Sequence, residues 1–181
     1  MNQANTIGRL YQFSEYLRNI LLLIALILVL AGCGGPKVTA ETPPEIRYGE
    51  DVCVRCGMII SDERYAAGLV VETEPGRFEH RIFDDIGGMF LHAAEHGDNE
   101  SIVRYFVHDY HSLAWIDAQK ASFVSSQSML TPMGFGLTAF DDAAAAQFVA
   151  DEWDGEVLTF AQVQEAGVTM PGMGSSMQHQ H

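Results

Sequence analysis

Two thiols and a thioether stand within six positions in the run Cys53-Val54-Arg55-Cys56-Gly57-Met58. Thiolate and thioether are soft donors, and among biological metals they select Cu(I), zinc or iron–sulfur clusters. Zinc and iron–sulfur sites rarely recruit methionine, so Met58 turns the reading toward Cu(I). The same Cys-x-x-Cys reads equally as a disulfide or as half of a zinc site, and Met58 beside Ile59 and Ile60 also fits a core position. A disulfide closing so short a loop gains little loop entropy. Metal capture or redox exchange therefore explains the pair better than structure alone.

Further soft or borderline donors are scattered along the chain. Met133 lies between Pro132 and Gly134, in a loop over residues 126–136 that also holds Met129. A loop methionine is open to a soft metal in a way that a periodic, core-facing one such as Met89 is not. The last twelve residues carry Met170, Met173, Met177, His179 and His181 with no apolar period. Such a segment builds no core, and it reads either as a set of auxiliary Cu(I) donors or as a neutral tail. Thioethers need no deprotonation, so they hold Cu(I) where acid strips His and Cys. His80 alternates with apolar residues and is expected half-buried in a strand, as an auxiliary donor near the cysteine loop. His92 and His96 share one helix face, which is read as solvated. His108 and His111 flank Asp109-Tyr110 after a strand, where a loop position and a ligand role are equally open.

The elements that must position these donors begin after a targeting segment. Residues 20–30 are an unbroken apolar run behind Arg9 and Arg18, too short to span a bilayer and fitting a signal peptide. The run ends in Leu30-Ala31-Gly32-Cys33, which resembles a lipoprotein signal with Cys33 as the lipidated residue. Residues 1–32 are thus expected to be removed, leaving a membrane-tethered chain outside the cytoplasm. Gly34 follows, where an Asp would suggest inner-membrane retention, so an outer-membrane location is expected. Residues 33–50 read as a flexible tether.

Beyond the tether, residues 65–72 are a strand candidate and Glu74-Pro75-Gly76 a turn. Residues 77–83 alternate with period two, as a half-buried strand does. Asp84-Asp85 supplies an N-cap for a helix with Ile86, Met89, Phe90 and Ala93 at helical spacing, ending at Gly97. Residues 102–107 form another strand. A similar pattern returns 57 positions later, where Phe78, Phe83-Asp84-Asp85 and Glu95 meet Phe135, Phe140-Asp141-Asp142 and Glu152. A helix over 143–153 and a strand over 156–160 follow. The expectation is an α+β fold of two homologous ββαβ-type units, over 51–107 and 108–166. The methionine loop joins the helix of the first to the strand of the second, and a tail runs over 167–181.

The formal net charge is −14, which argues against nucleic acid as a partner because phosphate contacts need clustered Lys and Arg. The sequence has no Gly-rich phosphate loop, no G-x-S-x-G and no H-E-x-x-H. A redox Cys-x-x-Cys normally opens a helix, whereas Gly57-Met58-Ile59-Ile60 is no helix start. A non-enzymatic role is expected.

Taken together, the lipobox, the tether, Glu50-Asp51-x-Cys-x-x-Cys-Gly-Met58, the Phe-Asp-Asp helix and the Met133-Gly134 loop followed by Thr138-Ala139-Phe140 resemble the NosL family. These are accessory lipoproteins of nitrous oxide reductase. The resemblance spans roughly residues 48–166. It implies a fold related to organomercurial lyase and a periplasmic copper chaperone that binds Cu(I) and serves apo nitrous oxide reductase or its assembly machinery. Cys56 and Met58 match the family's Cys-x-Met, Met133 its loop methionine, and Cys53 a cysteine that not every member keeps. The tail lies outside the shared pattern. Two rival readings stay open: a thiol–disulfide protein that keeps a client's copper-ligating cysteines reduced, and a structural zinc module.

Overall fold

The computed structural model describes residues 17–23 and 37–167. The chain forms two compact units, Met1–Lys37 and Val38–His181. In the first, residues 17–23 are helical and exposed. No helix among the described residues is long and apolar enough to cross a membrane. Cys33, most of the apolar run and the Met/His tail lie outside the described residues.

The second unit is mixed α and β. It runs β1 (Ala67–Glu74), β2 (Arg77–Phe83), α1 (Ile86–His96), β3 (Ser101–His108), β4 (Trp115–Asp117), β5 (Ser122–Ser125), β6 (Leu137–Phe140), α2 (Ala143–Glu152), β7 (Glu156–Thr159) and α3 (Phe160–Ala166). The strands make two antiparallel sheets, ordered β2-β1-β3-β4 and β6-β5-β7. In each, the earliest strand lies between the next strand and the strand that follows the helix. The two helices start alike, with Asp85 and Asp142 as N-caps accepting from Gly87 N and Ala144 N. Each cap satisfies an amide that the first helical turn leaves without a partner.

Both faces of the second sheet are covered, which period two makes visible. Phe123, Leu137 and Ala139 point into a core shared with Leu69, Phe83, Ile86, Met89 and Phe90 of the first sheet and α1. Val124 and Phe140 point the other way, onto Ala146, Val149 and Ala150 of α2. Phe83, Phe123 and Phe140 are fully buried, each contributing about 1.5–3 kcal/mol from apolar burial.

Four expectations are corrected. Residues 38–50 are not a free tether: Pro44 is buried, close enough to Gly68 that a side chain there would strike it. Ile46 and Tyr48 pack on the core, and Glu41 pairs with Arg104. The first sheet runs past residue 107, because β4 pairs with β3 through Asp117. The methionine loop joins β5 to β6, the place that the short Pro75-Gly76 turn takes between β1 and β2. The strand after α2 stops at Thr159, where a capping box with Gln162 starts α3 instead.

Candidate metal centre

The cysteine run forms a small hairpin at the edge of this unit. Val52 and Ile59 bridge antiparallel, and Cys53 N donates to Met58 O at 2.8 Å. The turn between them closes with Gly57 N donating to Cys53 O at 3.0 Å. Gly57 has φ of +74°, a left-handed conformation that glycine adopts without the Cβ penalty. Three ties hold the hairpin in place. Val54 N donates to Ile82 O at 3.0 Å, Arg47 grips Asp51 through its guanidinium and backbone N–H, and Arg55 makes a two-pronged pair with Glu95 of α1.

Both cysteines are free thiols. Cys53 is 2 % exposed and Cys56 half-buried. The sulfurs and a carboxylate oxygen of Asp84 all lie within 4.8 Å of one another, with Cys56 Sγ donating to Asp84 Oδ1 at 3.4 Å. Burial pushes the Cys56 thiol up to about 12, and the neighbouring Cys53 and Asp84 add to the shift.

Opposite the hairpin comes the methionine loop, and Asp85 fixes it. This fully buried carboxylate caps α1 and accepts from Thr131 Oγ1 at 2.6 Å and Met133 N at 3.0 Å. Burial raises the Asp85 pKa, while the three donors oppose that shift. The loop comes so close to the helix that a Cβ on Gly87 would lie 2.3 Å from Phe135 Cγ. Glycine is required there by space. Met133 thereby lines a cleft of about 390 Å³ together with Val54, Arg55, Cys56, His92, Glu95 and His96.

The structure therefore brings Cys53 and Cys56 together and sets Cys56 and Met133 on one cleft. Met58 is 44 % exposed on the outer side of the hairpin and does not line the cleft. Met129 is buried against Tyr65, Val124 and Phe140, so it packs instead of offering a donor, because Ser126 and Gly136 fold the base of the loop onto the second sheet. His80 is bonded to Thr42 O at 2.8 Å and holds the 38–50 segment, outside the cluster of Cys53, Cys56 and Asp84. Met170, Met173, Met177, His179 and His181 lie outside the described residues.

The expected solvated face of α1 holds for His96, which is exposed, and is corrected for His92. His92 is buried, bonded to Glu100 at 3.1 Å and stacked on His96 with ring centroids 4.3 Å apart. Their spacing of four residues showed that they share a face, but nothing in it showed that the face meets the cleft. Asp84 and Asp85 were legible only as a cap; only the fold brings one to the thiols and the other to the loop. His108 is buried between Tyr48 Oη at 2.9 Å and Leu113 O at 2.7 Å, over Trp115. It belongs to the packing of the first sheet.

Fold and site together define a small α+β protein with a thiol hairpin facing a methionine loop. The family model described as NosL matches residues 46–168, and the chain belongs to the NosL family. Among curated relatives, it is 29 % identical over 169 residues to the "Copper-binding lipoprotein NosL" of Stutzerimonas stutzeri, covering 88 % of this chain and 85 % of that protein. The fold is similar to the crystal structure of the copper chaperone NosL from Shewanella denitrificans. That match has a TM-score of 0.61 at 20 % identity and covers 73 % of this chain and 99 % of the other.

Proposed function

We propose that the protein is a non-enzymatic carrier of Cu(I) in the cell envelope, tethered by lipid on Cys33 and facing the periplasm, on the outer membrane. Cys56 supplies a thiolate and Met133 a thioether, with Cys53 as an auxiliary donor. The ion is passed to a copper enzyme under assembly, with apo nitrous oxide reductase or its assembly machinery as the client. The observation that carries this reading is the single cleft lined by Cys56 and Met133, which stand on separate loops far apart in sequence. One relative is named as copper-binding and the other as a copper chaperone, which supports the choice of metal. The client rests on the family resemblance alone.

Chemistry fits a carrier. Few soft donors on a half-open rim select Cu(I) and leave coordination positions for an acceptor's ligands, so transfer proceeds by ligand exchange. Anaerobic Cu(I) titration against a competing chelator tests this. Cys56→Ala and Met133→Ala should each weaken binding at least tenfold, about 1.4 kcal/mol, and Cys53→Ala less. Deleting residues 170–181 should remove weaker Cu(I) equivalents and spare the tightest. Full-strength binding by Cys56→Ala would overturn the assignment.

A further inference from the structure

Gly167, the last described residue, stands on the wall of a groove. It lines a cavity of about 110 Å³ with Val163 and Ala166 of α3, Leu137 and Leu158 of the second sheet, and Phe135 of the methionine loop. Phe135 also borders the metal cleft. A Cβ placed on Gly88 would lie 4.0 Å from Phe135 Cε2 and 3.9 Å from Arg55 Cδ, and Arg55 lines the cleft with Cys56 and Met133. One aromatic ring thus separates groove from cleft. Among the described residues, no charged side chain lines the groove, on a chain whose net charge is −14. Residues 168–181 hold no Asp, Glu, Lys or Arg, and they begin Val168-Thr169-Met170-Pro171-Gly172-Met173.

We infer that residues 168–173 dock along this groove and that the docked tail feeds Cu(I) into the cleft. Shape and chemistry both match. An extended segment turns Val168 and Met170 to one side and Thr169 to the other, which suits an apolar groove that also carries Ser125 and Gln127. At about 3.3 Å per residue, Met170 reaches about 10 Å from Gly167 and Met173 about 20 Å. Met170 therefore stays with the Phe135 ring, where a thioether–aromatic contact is favourable, and Met173 extends past the ring toward Met133. The feed rests on the copper reading of the cleft; the docking does not. Thioethers alone hold Cu(I) more weakly than a set containing a thiolate, so the ion moves downhill. It leaves the sulfurs of Met170 and Met173 for the Cys56 thiolate and the Met133 thioether, the thiol proton goes to solvent, and no electron moves. A tether this short sets an effective concentration on the order of millimolar, so loading is intramolecular where free Cu(I) is scarce. The equilibrium affinity of the cleft is unchanged, because the tail sulfurs are released at the end of the step.

Methionine-methyl NMR of the metal-free chain carrying Cys33→Ser, which removes the lipidation thiol, tests the docking directly. The Met170 methyl, assigned through its loss in Met170→Leu, should give Overhauser contacts to the Phe135 ring. Ala166→Trp fills the groove from α3 and Gln127→Trp fills it from the methionine loop. Both positions are exposed, and each variant should abolish those contacts. A second groove of about 300 Å³ leaves Gly167 along Leu91, Ala94 and Tyr105, and it shares no lining residue with the cleft or the methionine loop. Contacts to Tyr105 in place of Phe135, or contacts to neither ring, overturn the docking. Stopped-flow loading from a Cu(I)–bicinchoninate complex then tests the feed. Ala166→Trp should slow loading of the first equivalent by roughly tenfold or more and change its equilibrium affinity by less than about threefold. Loading at the parent rate in both filled variants overturns the feed. If the Met170–Phe135 contacts are present but the cleft binds no Cu(I), the copper reading fails and the docked tail stands.

Discussion

Replacing Asp85 with alanine is the sharpest probe of how the two loops are held together, because Asp142 provides an internal control 57 positions later. Both carboxylates cap a helix. Asp142 accepts from Ala144 N at 2.8 Å on an exposed surface, and losing such a cap costs about 1 kcal/mol. Asp85 is buried and accepts from Gly87 N, Thr131 Oγ1 and Met133 N. Its removal takes away the cap and strands two more donors at about 1 kcal/mol or more each. Desolvation, the main cause of its raised pKa, offsets part of that gain. Asp85→Ala should therefore lose roughly 3 kcal/mol, about 2 kcal/mol more than Asp142→Ala. Urea unfolding with an unchanged m-value measures both. Cu(I) affinity adds an independent readout, since Asp85→Ala releases the Met133 backbone and should approach Met133→Ala, whereas Asp142→Ala should bind like the parent. Stabilities of the two variants within about 0.5 kcal/mol would refute the claim that Asp85 fastens the methionine loop.

Two more predictions concern neighbouring groups. Gly87→Ala puts a Cβ 2.3 Å from Phe135 Cγ and should cost about 1–3 kcal/mol by overpacking. Gly88→Ala, whose nearest neighbour is 3.9 Å away, should gain up to about 1 kcal/mol from helix propensity, so thermal unfolding should move the two in opposite directions. Burial lowers the His108 pKa against the opposing pull of Leu113 O and Glu63. The folded state thus binds this proton less readily than the unfolded chain, whose imidazole titrates near ~6.5. The His108 contribution is complete above about pH 6.5 and is lost as pH falls from there toward the lowered folded value. The slope of melting temperature against pH over that window should flatten in His108→Gln.

What the sequence revealed follows from how local each signal is. The cap at Asp85, the helix to His96 and the alternating strand Arg77–Phe83 appear where their patterns placed them, because capping and periodicity are near-neighbour effects. The Pro-rich stretch failed as a tether for the opposite reason. Pro44 and Tyr48 look like linker residues until Gly68 and His108 arrive from elsewhere in the chain to meet them. Thr159 and Gln162 carried the start of α3 in plain view as a capping box, yet the apolar Val157-Leu158 run drew the strand past it. At the site, Cys53, Cys56 and Met133 were legible from donor chemistry. Asp84, His92 and His96 were not, since their relation to the thiols depends on how α1 sits beneath the hairpin.

The choice between metal capture and thiol exchange turns on where the protons reside. An exchanging cysteine needs a thiolate at neutral pH, from a helix N-terminus or an unengaged cation. Here the chain leaves Cys56 through Gly57 in a left-handed conformation and returns to the Val52–Ile59 bridge, so the motif does not open a helix of its own. Arg55, the cation within the motif, has both prongs on Glu95. Burial holds the Cys56 thiol up to about 12, and the neighbouring Cys53 and Asp84 add to the shift. A thiol kept protonated in this way is a poor nucleophile toward a disulfide. A soft cation supplies what the protein withholds, replacing the proton on sulfur and gaining a bond in the same step. The features that quiet Cys56 as a redox catalyst leave it ready as a ligand, and the ion is what converts one state to the other.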